Sequence, residues 1–453
     1  MNTFLYFSAF IVNILSATTG SVFSWTSPAL PKLLSSDPSI NPLGRPITTL
    51  EESLLTILQN IGAIIGSITA GFAAEYLGRK RTLVMYSTTF IVSNLVFIFA
   101  RHINFYLFAR VLIGIGAGSV LTLVSSYTTE ISEDSNRGRV GSASGILANC
   151  GHLISFGVGP FVSIPVFSCI QLALVLAFLC FFAPFVPESP YYYLAKNDDE
   201  NALKSLGKFR TTSDNYKELL YIKEVISKRR SEKVSWKNLT QPPTRNGLIV
   251  GTGLLLLQGL TGIPVVIFYL QTILEASGTS IPSEYGSLAI GVVQLSTTII
   301  SGMLIDRVGR KILLYISSAG CSVSLLFLAT YFLLKDQHYN LEAVFWLPLA
   351  SLANYFIMYY IGFGPIPWAM IGDLFPTNVK SMCVSIAGTI CHINGLFIIG
   401  SFPIARETFG MTGIFYVYGG FVAVAGLFVW KLVPETKGKS LEDIQISLSK
   451  NKT

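Results

Sequence analysis

Charge is scarce in this chain. Of its 453 residues only 13% are Asp, Glu, Lys or Arg, against about 25% in a soluble globular protein. Most of its surface is therefore built to face something other than water. Histidine is nearly absent: His102, His152, His338 and His392 are scattered, with no ligand spacing that would hold a metal. There is no nucleophile–base arrangement and no phosphate-cradling glycine loop. These absences argue against an enzyme and call for no cofactor and no metal. The excess of Lys and Arg, 32 against 25 acidic residues, forms no basic stripe on a soluble domain, so nucleic acid is not an expected partner. The six cysteines, at 150, 169, 180, 321, 383 and 391, all fall in apolar runs. They read as small packing residues, with no disulfide framework.

Long apolar runs are what the chain has in abundance. Hydrophobic residues make up 51% and mean hydropathy is +0.57. A helix needs about 20 residues to cross a hydrocarbon layer of about 30 Å. Such runs recur at roughly 4–26, 53–77, 83–101, 105–128, 139–163, 166–186, 246–274, 285–306, 312–334, 344–371, 382–404 and 411–433. They are continuous, without the alternation of lipid-facing strands, which excludes a β-barrel. The expected fold is an all-α membrane protein with twelve transmembrane helices. The first run starts without a basic leader or a small-residue cleavage site, and reads as a true span.

The chain is written twice. "GFAAEYLGRK" (71–80) returns as "GMLIDRVGRK" (302–311), 231 residues later. Glu130 and Arg137 follow the fourth run and Asp373 and Lys380 the tenth, acid and base seven residues apart in both. "VPESP" (186–190) closes the first half and "VPETKG" (433–438) the second. Three matches in one order define a parallel repeat of six helices. The boundaries expected are 1–186 for the first half, 187–245 for a linker, 246–433 for the second half and 434–453 for a tail. The linker's charged helical patterns predict short amphipathic helices that act as a lid or brace.

Placing both ends in the cytoplasm puts 26 of the 32 Lys and Arg on that side, five outside and Arg110 within a span. This bias orients the chain. The acceptor patterns at 238–240 and 451–453 then lie inside and stay unglycosylated. The basic residues serve topology, but the acids at matching places need another reason. Glu75, Arg79, Glu130, Arg137 and Glu188, with Asp306, Arg310, Asp373, Lys380 and Glu435, are expected to form ion pairs between helix ends. Each pair contributes roughly 0–1 kcal/mol, which together suits a latch that opens and closes.

Gly262 and Pro264 interrupt the seventh run, and Gly364, Pro365 and Pro367 the tenth. They are expected to bend those spans. Gly62/Gly66, Gly114/Gly118 and Gly141/Gly145 are expected at close helix crossings. Polar groups inside apolar runs are costly unless they act. Amides that donate and accept, near an aromatic platform, suit a polyhydroxylated solute; Asn149, Gln258, Gln294 and Trp368 are of this kind. For each amide the plainer reading is hydrogen-bonded glue between helices.

The repeated G-x-x-x-acid-x-x-G-R-K, E-x6-R-G, P-E-S-P, G-P-I-P-W and P-E-T-K-G, in this order, resemble the sugar porters of the major facilitator superfamily over essentially the whole chain. "FSWTSPAL" (23–30), "EYLGRK" and "IFY" resemble their insect branch of facilitated trehalose and glucose transporters. The resemblance implies two six-helix halves and facilitated sugar transport across the plasma membrane. Gln258 matches the family's first span-7 glutamine, while Gly259 and Pro264 stand where the second glutamine and an asparagine are usual. Asn149, Gln294 and Trp368 match ligands in spans 5, 8 and 10, and Tyr269 an outer-gate tyrosine whose partner position is Phe268. Cys391 and His392 replace Asn-Trp in span 11, and Asn394 stands one position before the third polar ligand, where Gly395 is found. Gln59, Asn60, Ser125, Tyr359 and Tyr360 are possible substitutes. Glu75-Tyr76 replaces the family's Asp-Arg, while Asp306-Arg307 keeps it.

Proton-coupled members carry an aspartate in span 1, where this chain has no acid and Val22 stands near that position. Downhill transport of trehalose or a hexose is expected, with His392 more plausibly packed than proton-carrying. A transporter of another organic solute, a proton-coupled symporter and a non-transporting sugar receptor are the alternatives. The fold can work as a monomer; the oligomeric state is left open by the sequence.

Overall fold

The structure is a computed structural model that describes residues 3–133, 136–210, 215–231, 242–375 and 377–437. It divides into two compact units, Met1–Lys233 and Val234–Thr453. The described residues of both are helical, without strands.

In the first unit the helices run α1 (Thr3–Phe23), α2 (Thr26–Leu34), α3 (Thr49–Leu77), α4 (Arg79–Phe99), α5 (Ile103–Ile131), α6 (Arg137–Val158) and α7 (Ile164–Phe185). Three short helices follow: α8 (Pro190–Ala195), α9 (Asp199–Phe209) and α10 (Asn215–Ser231). The second unit holds α11 (Pro242–Leu260), α12 (Ile263–Ser277), α13 (Ser283–Val308), α14 (Arg310–Asp336), α15 (Leu347–Ile361), α16 (Ile366–Leu374) and α17 (Thr377–Leu432). Ten stretches are long and apolar enough to cross a membrane. One of them, Met382–Leu432, is two spans joined at Gly410, whose φ of +65° breaks the helix. α6 is the twelfth, long enough but diluted by glycine, serine, Asn149 and His152. The twelve expected spans are all present, six in each unit.

Helices pack in this setting by close backbone approach at small residues. A β-carbon at Gly62, Gly66, Gly114 or Gly118 would stand 1.9–2.2 Å from a backbone oxygen across the α3–α5 crossing. That part of the glycine expectation holds. Gly141 and Gly145 do not follow it: nothing lies within 4 Å of a β-carbon built on either. The α1–α6 crossing is made by Gly20 and Gly151, whose β-carbons would meet Ala148 O at 1.9 Å and Ala17 O at 1.8 Å. Gly151 lies where α6 meets α1, whereas no neighbouring atom comes within 4 Å of a β-carbon at Gly141 or Gly145.

Arg110 is fully buried in α5. Its Nε donates to Leu55 O at 2.8 Å, and its guanidinium lies 5.1 Å over the Trp25 ring. Trp25 in turn stacks on Phe97, centroids 4.8 Å apart. A π face and a carbonyl thus help solvate a charge away from water.

The linker helices pack within the first unit. Leu194, Ala202, Leu206, Leu219 and Ile222 form their own small core. Arg210, only 7% exposed, holds Glu218 with three bonds of 2.8–2.9 Å and donates to Ile131 O at 2.7 Å and Ser132 O at 3.3 Å. These carbonyls lie at the α5 C-terminus, where no helical N–H remains to meet them. The acceptor patterns at 238–240 and 451–453 lie outside the described residues.

The two kinds of glycine should separate in mutagenesis. Gly151→Val should abolish the yield of monodisperse protein. Gly145→Ala should leave thermal stability unchanged or raise it by about 0.4–1 kcal/mol, as at an unobstructed helical glycine. Size-exclusion chromatography and a thermal-shift assay check both.

Candidate functional site

The repeated Gly-Arg-Lys and Pro-Glu motifs meet in each unit. Gly78 (φ +92°) and Gly309 (φ +109°) sit just before α4 and α14 in a backbone conformation that favours glycine. Each turn presents the first amides of its helix to a carboxylate. In the first unit Glu188 accepts from Arg79 N at 2.9 Å, Lys80 N at 3.0 Å and Ser189 N at 2.8 Å. In the second, Glu435 accepts from Arg310 N at 3.3 Å, Lys311 N at 3.1 Å, and Thr436 N and Lys437 N at 2.9 Å. The arrangement is a carboxylate cap on a helix N-terminus, favoured by unpaired amides and the helix dipole together. A β-carbon at Gly78 would strike Glu188 Oε2 at 2.2 Å, so only glycine admits this cap.

One side-chain ion pair accompanies the first cap. Arg79 reaches Glu130 through Nη2 at 2.8 Å and Nε at 3.0 Å, with side chains 19% and 13% exposed. Glu130 also accepts from the Ser189 hydroxyl and, at 3.3 Å, from Ser126 Oγ. Arg310 gives Nη1 to Thr436 Oγ1 at 3.0 Å. Glu75 is exposed and pairs with nothing among the described residues, and Arg137 is exposed. The side chains of Asp306, Asp373 and Lys380 lie outside what the structure describes.

The two caps differ electrically. Burial pushes the Glu188 carboxyl up, against the opposing pull of its backbone donors. Burial also acts on Glu435, but its four backbone N–H donors outweigh it and hold the carboxyl below its ordinary 4.5.

Span 7 breaks between α11 and α12. Gly262 adopts φ +85°, with Tyr418 packed where a β-carbon would stand, 2.5 Å away, and Pro264 opens α12. Span 10 breaks between α15 and α16, across residues 362–365, with Pro365 in the break and Pro367 in the first turn of α16. A broken span leaves backbone groups that lipid cannot satisfy. Gln258 supplies part of the answer: its Nε2 donates to Phe363 O at 2.6 Å and Gly364 O at 3.0 Å. Tyr355 OH donates to Thr261 O at 3.0 Å, serving the other break. Thr261 Oγ1 returns to Gln258 O at 2.7 Å, and Tyr359 lies close to the Gln258 side chain. Gln258 is thus first a clasp between two broken helices.

The remaining expected site residues fall as follows. Gln294 is fully buried in α13 and donates to Tyr360 OH at 2.7 Å, adjoining the Tyr359 ring. Asn394 of α17 donates to Leu256 O at 2.9 Å. Trp368 is 44% exposed on α16, and His392 is half-buried on α17. Tyr269 is fully buried, its ring 4.5 Å from Phe402 and its hydroxyl 3.4 Å from Ile399 O. In the first unit Asn149 is 7% exposed and donates to Gly145 O of its own helix at 2.9 Å. Gln258 and Gln294 therefore adjoin one tyrosine-lined region of the second unit, and Asn394 packs against α11 at Leu256 and Gly259. Thr261 and Tyr355 complete it and were not anticipated. The signal for them was the break itself, since each freed carbonyl demands a donor nearby.

The sequence family described as "Sugar (and other) transporter" matches residues 1–448. The chain belongs to that family. It is 33% identical over 446 residues to the facilitated trehalose transporter Tret1 of Bombyx mori, covering 98% of this chain and 86% of the relative. With Tret1 of Anopheles gambiae it shares 31% over 441 residues, 97% of this chain but only 55% of that protein's length. The inward-open structure of the xylose transporter XylE from E. coli matches at TM-score 0.81 and 20% identity, over 98% of this chain and 99% of that one. The fold is therefore that of the major facilitator superfamily, in which XylE stands. This sugar transporter family member is a multi-pass membrane protein and not an enzyme.

The Glu435 cap has a pH signature. A carboxyl whose folded pKa is lowered adds stability that is full above about 4.5, its unfolded value, and is lost as pH falls through the folded pKa. Glu435→Gln should lower the thermal midpoint at pH 7. It should also flatten the wild-type decline below pH 4.5, as read by thermal shift in detergent between pH 7 and pH 3.5.

Proposed function

We propose that this protein carries trehalose or a hexose such as glucose down its gradient across the plasma membrane, by alternating access, with both termini in the cytoplasm. The observation that carries the reading is the cluster of amides and tyrosines at the paired breaks of spans 7 and 10. Sugar hydroxyls want groups that donate and accept, and Gln258, Tyr359 and Tyr360 are such groups on helices already broken, with Asn394 of α17 bonded to α11. Trp368, on α16 just after one break, offers an apolar ring face. Gln294, Asn149, Tyr269 and His392 are further members of the proposed set, and Gly262, Pro264, Gly364, Pro365 and Pro367 its bending points. The charged network through Glu130, Arg79 and Glu188, with Arg310 and Glu435 in the other unit, acts as the latch. Glu75, Arg137, Asp306, Asp373 and Lys380 are proposed to join it during the cycle. Orientation rests on the Lys and Arg bias, 26 of 32 on the linker side.

Downhill transport is supported by where the acids lie. Glu51 and Glu52 open α3, Glu75 and Glu130 close α3 and α5, Glu275 falls in the last turn of α12, and Glu284 opens α13. Glu407 adjoins the Gly410 break. Among the described residues no carboxylate sits in the middle of a span, where a proton-coupled carrier needs one.

Reconstituted protein should take up labelled trehalose or glucose, and uptake should persist when a protonophore collapses the pH gradient. Uptake that stops with the gradient overturns the downhill reading. No flux of trehalose, glucose or fructose overturns the sugar reading. Gln258→Ala should lower flux at least tenfold and lower thermal stability by about 1–3 kcal/mol, because two buried carbonyls lose their donor.

A further inference from the structure

A cavity of about 450 Å³ opens at the C-terminal end of α14, in the second unit. It lies at the opposite end of that 27-residue helix from the Glu435 cap. Small-molecule sites occupy about 300–1,000 Å³. The sequence builds this one where two helices end. α12 stops at Gly278, whose φ of +65° is left-handed, and Lys335 of α14 donates Nζ to the last-turn carbonyl of Ala276 at 2.5 Å. A cation is favoured at that place by the helix dipole and the unpaired carbonyls of a helix end. A β-carbon at Gly278 would stand 2.8 Å from the ammonium, so the glycine also makes room for it. Tyr331, one turn before Lys335, is buried and places its hydroxyl 3.4 Å from Ser277 O.

α14 closes through His338, at φ +59°. The His338 N–H reaches Lys335 O at 2.9 Å and the Tyr339 N–H reaches Leu334 O at 3.1 Å, the paired bonds of a Schellman turn. That turn folds the chain back and puts Tyr339 on the cavity wall. A short 3-10 helix follows, Glu342–Val344, whose first N–H is held by Asn340 Oδ1 at 2.9 Å. It brings Glu342 and Phe345 to the same wall, and Thr279 completes the rim from the α12 side. Aromatic residues alone would be no signal, since they collect at membrane interfaces. An interface does not account for a fixed ammonium and a carboxylate lining one small cavity together with hydroxyl groups. Glu342 forms no ion pair among the described residues.

We propose that this cavity is a second carbohydrate-binding site, separate from the breaks of spans 7 and 10 and open to the outside in the orientation proposed above. Sugar hydroxyls both donate and accept. The Glu342 carboxylate accepts from one hydroxyl, the Lys335 ammonium and the Thr279 and Tyr339 hydroxyls donate, and Tyr339 and Phe345 meet the apolar C–H face. A small anion would gain from Lys335 but be repelled by Glu342. An apolar ligand would strand both charges away from water. A neutral polyol satisfies the two together. α12 runs 15 residues from the break at Gly262 to this cavity, about 20 Å at the helical rise, so one mono- or disaccharide cannot fill both places. The inference rests on the sugar reading for the class of ligand and goes beyond it by adding a second place to bind.

The test uses the full chain in lipid nanodiscs, with labelled trehalose and labelled glucose in saturation binding. At least one of the two sugars should occupy two sites per chain. Glu342→Gln and Tyr339→Ala change exposed side chains. Each should raise the Kd of one site about tenfold, as for a lost charged hydrogen bond or aromatic platform, and leave the other within about twofold. A photoreactive derivative of the bound sugar should mark wild type within residues 331–345, and excess free sugar should remove the mark. Two sites that both ignore the variants, a single site that ignores them, or labelling that spares 331–345 overturns the proposal. Should a variant fail to fold, the wild-type labelling decides alone. A chain that binds neither sugar fails the sugar reading itself; a chain that binds sugar only away from 331–345 fails only this assignment.

Discussion

The constraint on which this structure depends is that a backbone amide or carbonyl inside or beside hydrocarbon must find its partner within the protein. Unbroken helices meet it by themselves, and ten of the twelve spans are close to that ideal. The informative places are where a helix starts, stops or breaks, because the orphaned groups there recruit side chains. Glu188 and Glu435 meet the amides that open α4 and α14. Arg210 meets the carbonyls that close α5. Gln258 and Tyr355 meet those freed by the breaks in spans 10 and 7. One requirement thus explains residues that otherwise look like separate motifs.

This changes the meaning of two sets of residues. The acids after each Pro read from the sequence as halves of ion pairs, yet both accept backbone N–H groups. Beside the first cap, Arg79–Glu130 is paired side chain to side chain. A cap of this kind belongs to its own unit and holds the turn in shape, and the Arg79–Glu130 pair beside the first cap is itself largely buried. Gln258 likewise reads as a ligand and is found clasping two breaks. A residue that both satisfies a hinge and stands among sugar-compatible groups links occupancy to bending, since any change in its hydrogen bonds alters what holds spans 7 and 10 together.

Much of this architecture was legible before any coordinates. Twelve apolar runs became twelve spans, and the three repeated motifs marked equivalent turns. Gly262 and Pro264 announced a break by their backbone chemistry alone. Other features were not legible because they depend on which face of a helix turns toward which neighbour. Gly141 and Gly145 have the same spacing as Gly62 and Gly66, yet only the latter lie at a crossing. Gly20 and Gly151, separated by more than a hundred residues, make the α1–α6 contact without any shared pattern. Tyr355 and Thr261 carry no motif and matter because of the breaks they adjoin.

The sequence by itself determined what is local or periodic: spans, their number, the repeat, the turns that only glycine allows and the bias of positive charge. These follow from hydropathy, chain length and backbone sterics, which act within a few residues. Tertiary structure decided partnership. It turned a glutamine among leucines into a clasp, set an arginine over a tryptophan face, and brought Asn394 into the space left at Gly259. Such pairings join helices far apart in the chain, and their geometry depends on crossing angle and helix rotation, quantities that no short stretch of residues encodes.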